Sequence, residues 1–231
     1  MADLALYLTA RDACVELVGG LTAEELNHTC RACPAWTIHD VFAHHIHFVG
    51  AFVAGSVPEC VYTAMTGATA EERHQAGLDR DAWTQQGVNE RNYHSIEGLV
   101  VEWDRIVEQM TDDHARSVLD LTMHLGDIRE TLDDPTGRTS PLIDDALTTY
   151  HQRFLSPRLA SVGLAVNITT ADTDLTLISE DPDASVVSGP AYELLRTIGG
   201  RRSRSEANRT LRWGNTPQRA RELFAVYGWA T

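Results

Sequence analysis

Asp120 and His124 stand four residues apart in a stretch of helical periodicity, and His44, His45 and His47 crowd a second such stretch nearer the N-terminus. Residues at i and i+4 project from the same face of a helix. Carboxylate oxygen and imidazole nitrogen both ligate zinc and related divalent ions, and a catalytic site of that kind keeps three protein ligands and one open position. Asp120 and His124 supply two ligands from one turn, so a single histidine from a facing helix completes the set. His44, His45 and His47 are all available. Without a metal, the same pair makes an ordinary histidine–carboxylate hydrogen bond within its helix.

The surroundings of the pair favour the interior of a bundle. Val118, Leu121, Leu125, Ile128 and Leu132 form an apolar stripe at about 100° per residue, and Asp120, His124 and Asp127 follow one flank of it. Leu119 and Met123 lie beyond that flank, so the polar stripe runs between two apolar ones. Charge in such a place is paired or metal-bound. In the earlier stretch Val41, His45, Phe48 and Phe52 share a face, with Asp40, His44, His47 and Ala51 beside it. Spacing does not choose between His44 and His45. His28, His39, His74, His94, His114 and His151 read as surface or packing residues.

Cys30 and Cys33 form a lone Cys-x-x-Cys, open to reading as a redox pair or half of a zinc knuckle. The usual redox motif follows a strand and opens a helix, and a structural zinc site needs a second cysteine pair. Cys14 and Cys60 sit in apolar contexts where a free thiol behaves as a small buried hydrophobe.

The elements that must position these residues are helical over residues 1–158. Leu4, Leu8, Val15 and Val18 predict a first helix ended by Gly19 and Gly20. Thr22 with Glu25 three residues on has the capping-box pattern, and Thr37 precedes a long helix over 38–54. A third long helix spans 80–110, with room for kinks at Gly87 and Gly98, and a fourth spans 113–132. After a helix over 141–156 the texture changes to alternating, β-branched runs at 164–170 and 175–179. A small α+β domain is therefore expected over 159–231, with a helix over 191–198, a last strand over 209–213 and a last helix over 217–226.

Composition narrows the partners. A formal net charge of -14 repels polyanions and argues against nucleic acid and anionic membranes. No run is long and apolar enough to span a bilayer, and Met1-Ala-Asp-Leu lacks the basic flank of a secretory signal, so a cytoplasmic protein is expected. All 19 basic residues are arginine, a composition suited to GC-rich codons.

Cys33-Pro34-x-Trp36-Thr37-x-x-Asp40-Val41-x-Ala43-His44 resembles the second-helix signature of the mycothiol-dependent maleylpyruvate isomerase family, a branch of the DinB-like metal-binding four-helix bundles. His124-x-x-Asp127-Ile128-Arg129-x-x-Leu132 resembles its fourth-helix signature. Gly189-Pro190-Ala191-x-Glu193-Leu194-Leu195 and Gly200-Arg201 are similar to the smaller C-terminal domain that many members carry.

The resemblance implies a DinB-like bundle followed by a small α/β domain, with His44, Asp120 and His124 as ligands of a divalent metal, zinc by preference. Asp120 stands where the family more often has Glu, one methylene longer. Asp127 matches a recurrent family position and reads as a residue that orients an imidazole N–H. Arg201 is the residue that could meet an anionic cofactor or substrate.

The implied activity is transfer of a small thiol, mycothiol, to an electrophilic small molecule, or cis–trans isomerisation of that molecule. An actinobacterial host fits the arginine usage, and a monomer or homodimer is expected. Two other readings fit the same residues: a metal-dependent hydrolase using activated water, and a non-enzymatic binding or regulatory protein on the same bundle.

Overall fold

The computed structural model describes residues 4–67 and 69–230. Met1, Ala2 and Asp3, part of the N-terminal segment read above, lie outside them. Contacts divide the chain into two compact units, Met1–Pro135 and Thr136–Thr231. The division comes earlier than the expected boundary after residue 158, because the helix that begins at Pro141 packs within the second unit.

In the first unit, α1 (Leu4–Gly19), α2 (Ala23–Leu26), α3 (Ile38–Val53), α4 (Glu59–Thr66), α5 (Ala70–Asn89), α6 (Ile96–Val107) and α7 (Val118–Thr131) follow in order. A 3-10 turn over Asp112–Ser117 leads into α7, so the fourth long helix is shorter than its periodicity predicts. Thr22 and Thr37 both cap as the sequence predicts. Each hydroxyl accepts from the backbone N–H three residues on, and Glu25 or Asp40 accepts from the threonine N–H in return. Such a cap contributes about 1 kcal/mol and fixes where the helix begins, hence which residues of α3 face inward.

α3 is the central element. It packs against α5, α6 and α7, and α1 packs against α6 and α7. Phe42 and Trp103 meet edge to face with centroids 5.6 Å apart, beside fully buried Tyr7, Ile38, Leu99 and Leu121. α7 is buried on every side from Leu121 to Ile128, which holds His124 and Asp127 inside the bundle.

The stretch 80–110, expected as one helix, is two. α5 ends at Asn89, and the chain turns before the Ser95 hydroxyl accepts from Gly98 N–H to start α6. Neither glycine marks the break. Gly87 instead lies where α5 approaches α3, and a Cβ there would fall 2.1 Å from His47 Cγ.

The second unit contains α8 (Pro141–Tyr150), a π turn over His151–Leu155, and α9 (Ser156–Ala160). A three-stranded sheet follows, of order β2-β1-β3, from β1 (Val166–Thr170), β2 (Thr176–Leu177) and β3 (Ser185–Gly189). β1 pairs antiparallel with β2, in register Ile168 to Leu177, and parallel with β3, in register Ile168 to Val187. β1 and β3 alternate in burial, so one face of each covers a core. α10 (Ala191–Ile198) packs on α8 and β3, and α11 (Arg204–Thr210) and α12 (Gln218–Leu223) complete the unit. The strand expected over 209–213 is the end of α11 followed by a single bridge between Ser188 and Arg212. The architecture is mainly α with a small α/β unit, as the sequence predicts. No described helix is long and apolar enough to cross a membrane.

Candidate metal centre

α3 and α7 bring the three residues named from the resemblance to one place. One ligand atom each from His44, Asp120 and His124 lies within 4.8 Å of the others. The rings of His44 and His124 meet at 82° with centroids 4.8 Å apart, and His124 Nε2 is 3.5 Å from Asp120 Oδ1. Trp36 tilts over His44 at 4.9 Å and donates its indole N–H to Gln85 Oε1 at 2.9 Å.

His44 Nδ1 is buried and has no hydrogen-bond partner among the described residues. A buried imidazole nitrogen left unpaired costs free energy unless something else takes its lone pair. Two imidazoles and a carboxylate form a donor set suited to zinc, so the residues present fit a divalent ion.

Spacing left His44 and His45 undecided, and the structure gives them different surroundings. His45 Nδ1 lies 2.7 Å from Asp120 Oδ2, its Nε2 lies 3.5 Å from the Tyr7 hydroxyl, and Trp103 Nε1–H donates to that hydroxyl at 2.8 Å. The indole can only donate, which sets the direction of the chain. Trp103 donates to Tyr7, Tyr7 donates to His45 Nε2, and His45 donates from Nδ1 to Asp120. Both ring nitrogens of His45 are therefore engaged, by Tyr7 and by Asp120. His47 stands apart. Its ring packs on Gly87 and lies 4.5 Å from Trp83, and Arg91 donates to its Nδ1 at 3.3 Å.

A second group, Cys33, His124 and Asp127, also has ligand atoms within 4.8 Å of one another. It shares His124 with the first. His124 Nδ1 is 3.1 Å from Asp127 Oδ2, and Asp127 is fully buried. With Nδ1–H donated to Asp127, Nε2 is left facing Asp120 and His44, as is usual for a ligating imidazole oriented by a carboxylate. Cys33 Sγ lies 4.0 Å from the same Asp127 oxygen. Its chain position next to Pro34 gives no hint of this, because a turn and not a helix face brings it there.

The charge states follow from burial and neighbours. Burial pushes His44 down to about 3, reinforced by His124, so its imidazole is neutral. Burial also lowers His45, against the pull of Asp120. Burial opposes charge on His124 as well, but the Asp120 and Asp127 carboxylates raise it to about 9. Burial would raise Asp120, yet His124 and His45 hold it well below the usual carboxylate range. Without a metal the cluster is thus an ion pair of Asp120 and protonated His124 beside two neutral imidazoles.

Arg201, expected to meet an anionic group, lies in the second unit, and its Nη1 donates to Gly199 O at 3.1 Å.

No curated protein matches the sequence. A crystal structure described as the mycothiol-dependent maleylpyruvate isomerase is 16% identical, covers 86% of this chain and 88% of its own, and superposes with a TM-score of 0.43. A second, of a histidine-to-alanine mutant of the mycothiol-dependent maleylpyruvate isomerase, is 14% identical over 93% of both chains, with a TM-score of 0.46. The family model of the mycothiol maleylpyruvate isomerase N-terminal domain matches residues 7–122, a span that includes His44 and Asp120 and ends two residues before His124. The chain belongs to the mycothiol maleylpyruvate isomerase N-terminal domain family.

Proposed function

We propose that the chain is a metal-dependent enzyme that uses a low-molecular-weight thiol, mycothiol, to isomerise or modify an electrophilic small molecule, with maleylpyruvate the substrate to test first. The observation that carries this reading is the convergence of His44, Asp120 and His124 within 4.8 Å at the contact of α3 and α7. Family membership supports it.

A divalent ion, zinc by the donor set, would supply a Lewis-acidic open position that lowers the pKa of a thiol brought to it. His44 offers a neutral nitrogen because burial keeps its ring uncharged. Asp120 contributes the negative charge, with Oδ2 held by His45 and Oδ1 turned toward His124. Asp127 fixes the His124 ring so that Nε2 faces the cluster. Trp36 covers His44 and limits water on that side. A thiolate that adds to a cis double bond conjugated with a carbonyl leaves a single bond free to rotate. Elimination then returns the thiolate and the trans product.

The test is elemental analysis of protein purified without added metal, together with a mycothiol-dependent assay on maleylpyruvate before and after chelation. The expected result is close to one divalent ion per chain, with thiol-dependent turnover abolished by chelation and restored by zinc. Undiminished thiol-dependent turnover in metal-free protein would remove the metal from the reading. A metal-loaded protein that binds no thiol would remove the thiol.

A further inference from the structure

Cys30, Arg31, Ala32 and Cys33 form a turn closed by Cys33 N–H donating to Cys30 O at 3.2 Å. A β-turn of this kind holds its end Cα atoms within about 7 Å, the span a disulfide can bridge. The turn is fastened on all sides. Cys30 N–H donates to Trp36 O and Trp36 N–H donates to Cys33 O, each at 2.8 Å, and Arg31 N–H donates to Thr131 Oγ1 at 3.2 Å.

The two thiols are hydrogen-bonded to each other and differ in access. Cys30 is fully buried and donates to Asp127 O at 3.9 Å, whereas Cys33 is half-buried. One sulfur can therefore meet a reagent from solution, while the other waits behind it within reach of the first.

We propose that Cys30 and Cys33 are a redox-active pair that closes to an intramolecular disulfide by exchange with a low-molecular-weight disulfide. The Cys33 sulfur attacks one sulfur of the reagent, and the first small thiol leaves with the Cys33 proton. The Cys30 sulfur then attacks Cys33 Sγ, and the second small thiol leaves with the Cys30 proton. Two protein thiols are oxidised and one disulfide is reduced to two thiols. In the reduced pair the hydrogen bond from Cys33 draws the Cys30 thiol down to about 6; the Thr131 side chain and the Ala32 backbone act in the same direction and are still there once Cys33 is in the mixed disulfide. This inference needs neither the metal nor the thiol-transfer reading.

The test treats the full-length protein, under native conditions, with cystamine, a cationic disulfide suited to a chain of net charge -14. The expected product has lost two hydrogen atoms at Cys30 and Cys33 and carries no cysteamine on either sulfur. Arg31 lies between the two cysteines, so trypsin should yield the peptide ending at Arg31 linked to the one beginning at Ala32, with fragmentation placing the bond at Cys30 and Cys33. Cys30→Ser should trap one cysteamine on Cys33, and Cys33→Ser should leave Cys30 unmodified over the same interval. Cys14, buried and pushed up to about 12, is the internal control and should react at least ~10-fold more slowly than Cys33. The inference is overturned if the wild-type chain keeps all its thiols, or if it ends as a stable mixed disulfide without the internal bond. The wild-type result decides even if a serine variant fails to fold.

Discussion

His45 Nδ1 donates to Asp120 Oδ2 across 2.7 Å, so the carboxylate is divided between two histidines, with Oδ1 3.5 Å from His124 Nε2. The orientation of Asp120 is thereby fixed from α3, one residue along from His44. His45→Phe keeps a ring but removes the donor, and should weaken zinc affinity roughly 10- to 100-fold in competition with a chromogenic chelator. His45→Asn keeps an N–H near the position of Nδ1 and should lie much closer to wild type. Equal weakening in both would mean that packing, and not the hydrogen bond, is what matters.

The three proposed ligands make a sharper contrast. His44→Ala and His124→Ala should each bring the metal content of purified protein close to zero, since two remaining ligands compete poorly with buffer. His47→Ala should retain the metal, because His47 faces Gly87 and Trp83 instead of the cluster. Retention of metal by His44→Ala would assign the site elsewhere.

Metal-depleted protein should show stability that falls on both sides of about pH 6.5. His124 is raised from 6.5 to about 9 in the folded state, so its contribution is complete below 6.5 and lost as pH rises through 9. His44 is lowered to about 3, so the folded state resists a proton that the unfolded chain takes up, and stability falls as pH drops from 6.5 toward 3. Asp120, held below its ordinary value, adds to the acid loss. Thermal unfolding across pH measures this directly. Zinc should abolish the alkaline decline, because the ion takes the place of the His124 proton. An unchanged Tm from pH 6.5 to 9 in the metal-free protein would contradict the charged pair.

Gly87→Ala should destabilise the first unit by about 1–3 kcal/mol in urea unfolding, as overpacking does. The added Cβ would meet the His47 ring at 2.1 Å, so α5 or His47 must move. Gly77→Ala, where nothing lies within 4 Å of an added Cβ, is the matched control on the same helix and should be neutral or stabilising.

What the sequence discloses depends on whether the information is local. The Thr22 and Thr37 caps, the i, i+4 pair on α7 and the apolar stripes beside it are all written within a few residues, and the structure reproduces them. The preference for His44 over His45 came from the family signature, because α3 is buried continuously from Val41 to Ile46 and its periodicity points both histidines inward. What separates them is tertiary: Asp120 and Tyr7 engage His45, while His44 Nδ1 has no partner. The break between α5 and α6 is not legible in the sequence, because the apolar residues on either side share a helical period and the glycines suggesting kinks lie elsewhere. The nearness of Cys33 to Asp127 depends on a turn and a helix with no sequence register between them.

Asp120 presents 24% of its side chain to solvent and His124 8%, and His44 is buried. The rim of the cluster is therefore its carboxylate, on a chain of net charge -14. An electrophile bearing carboxylates therefore meets a negatively charged group first. Its encounter rate should consequently climb with ionic strength, as the screening length shrinks from about 10 Å at 0.1 M salt to about 3 Å at 1 M. A neutral analogue should be indifferent to salt, so the ratio of the two rates measures how far the protein's own field retards the arrival of a charged substrate.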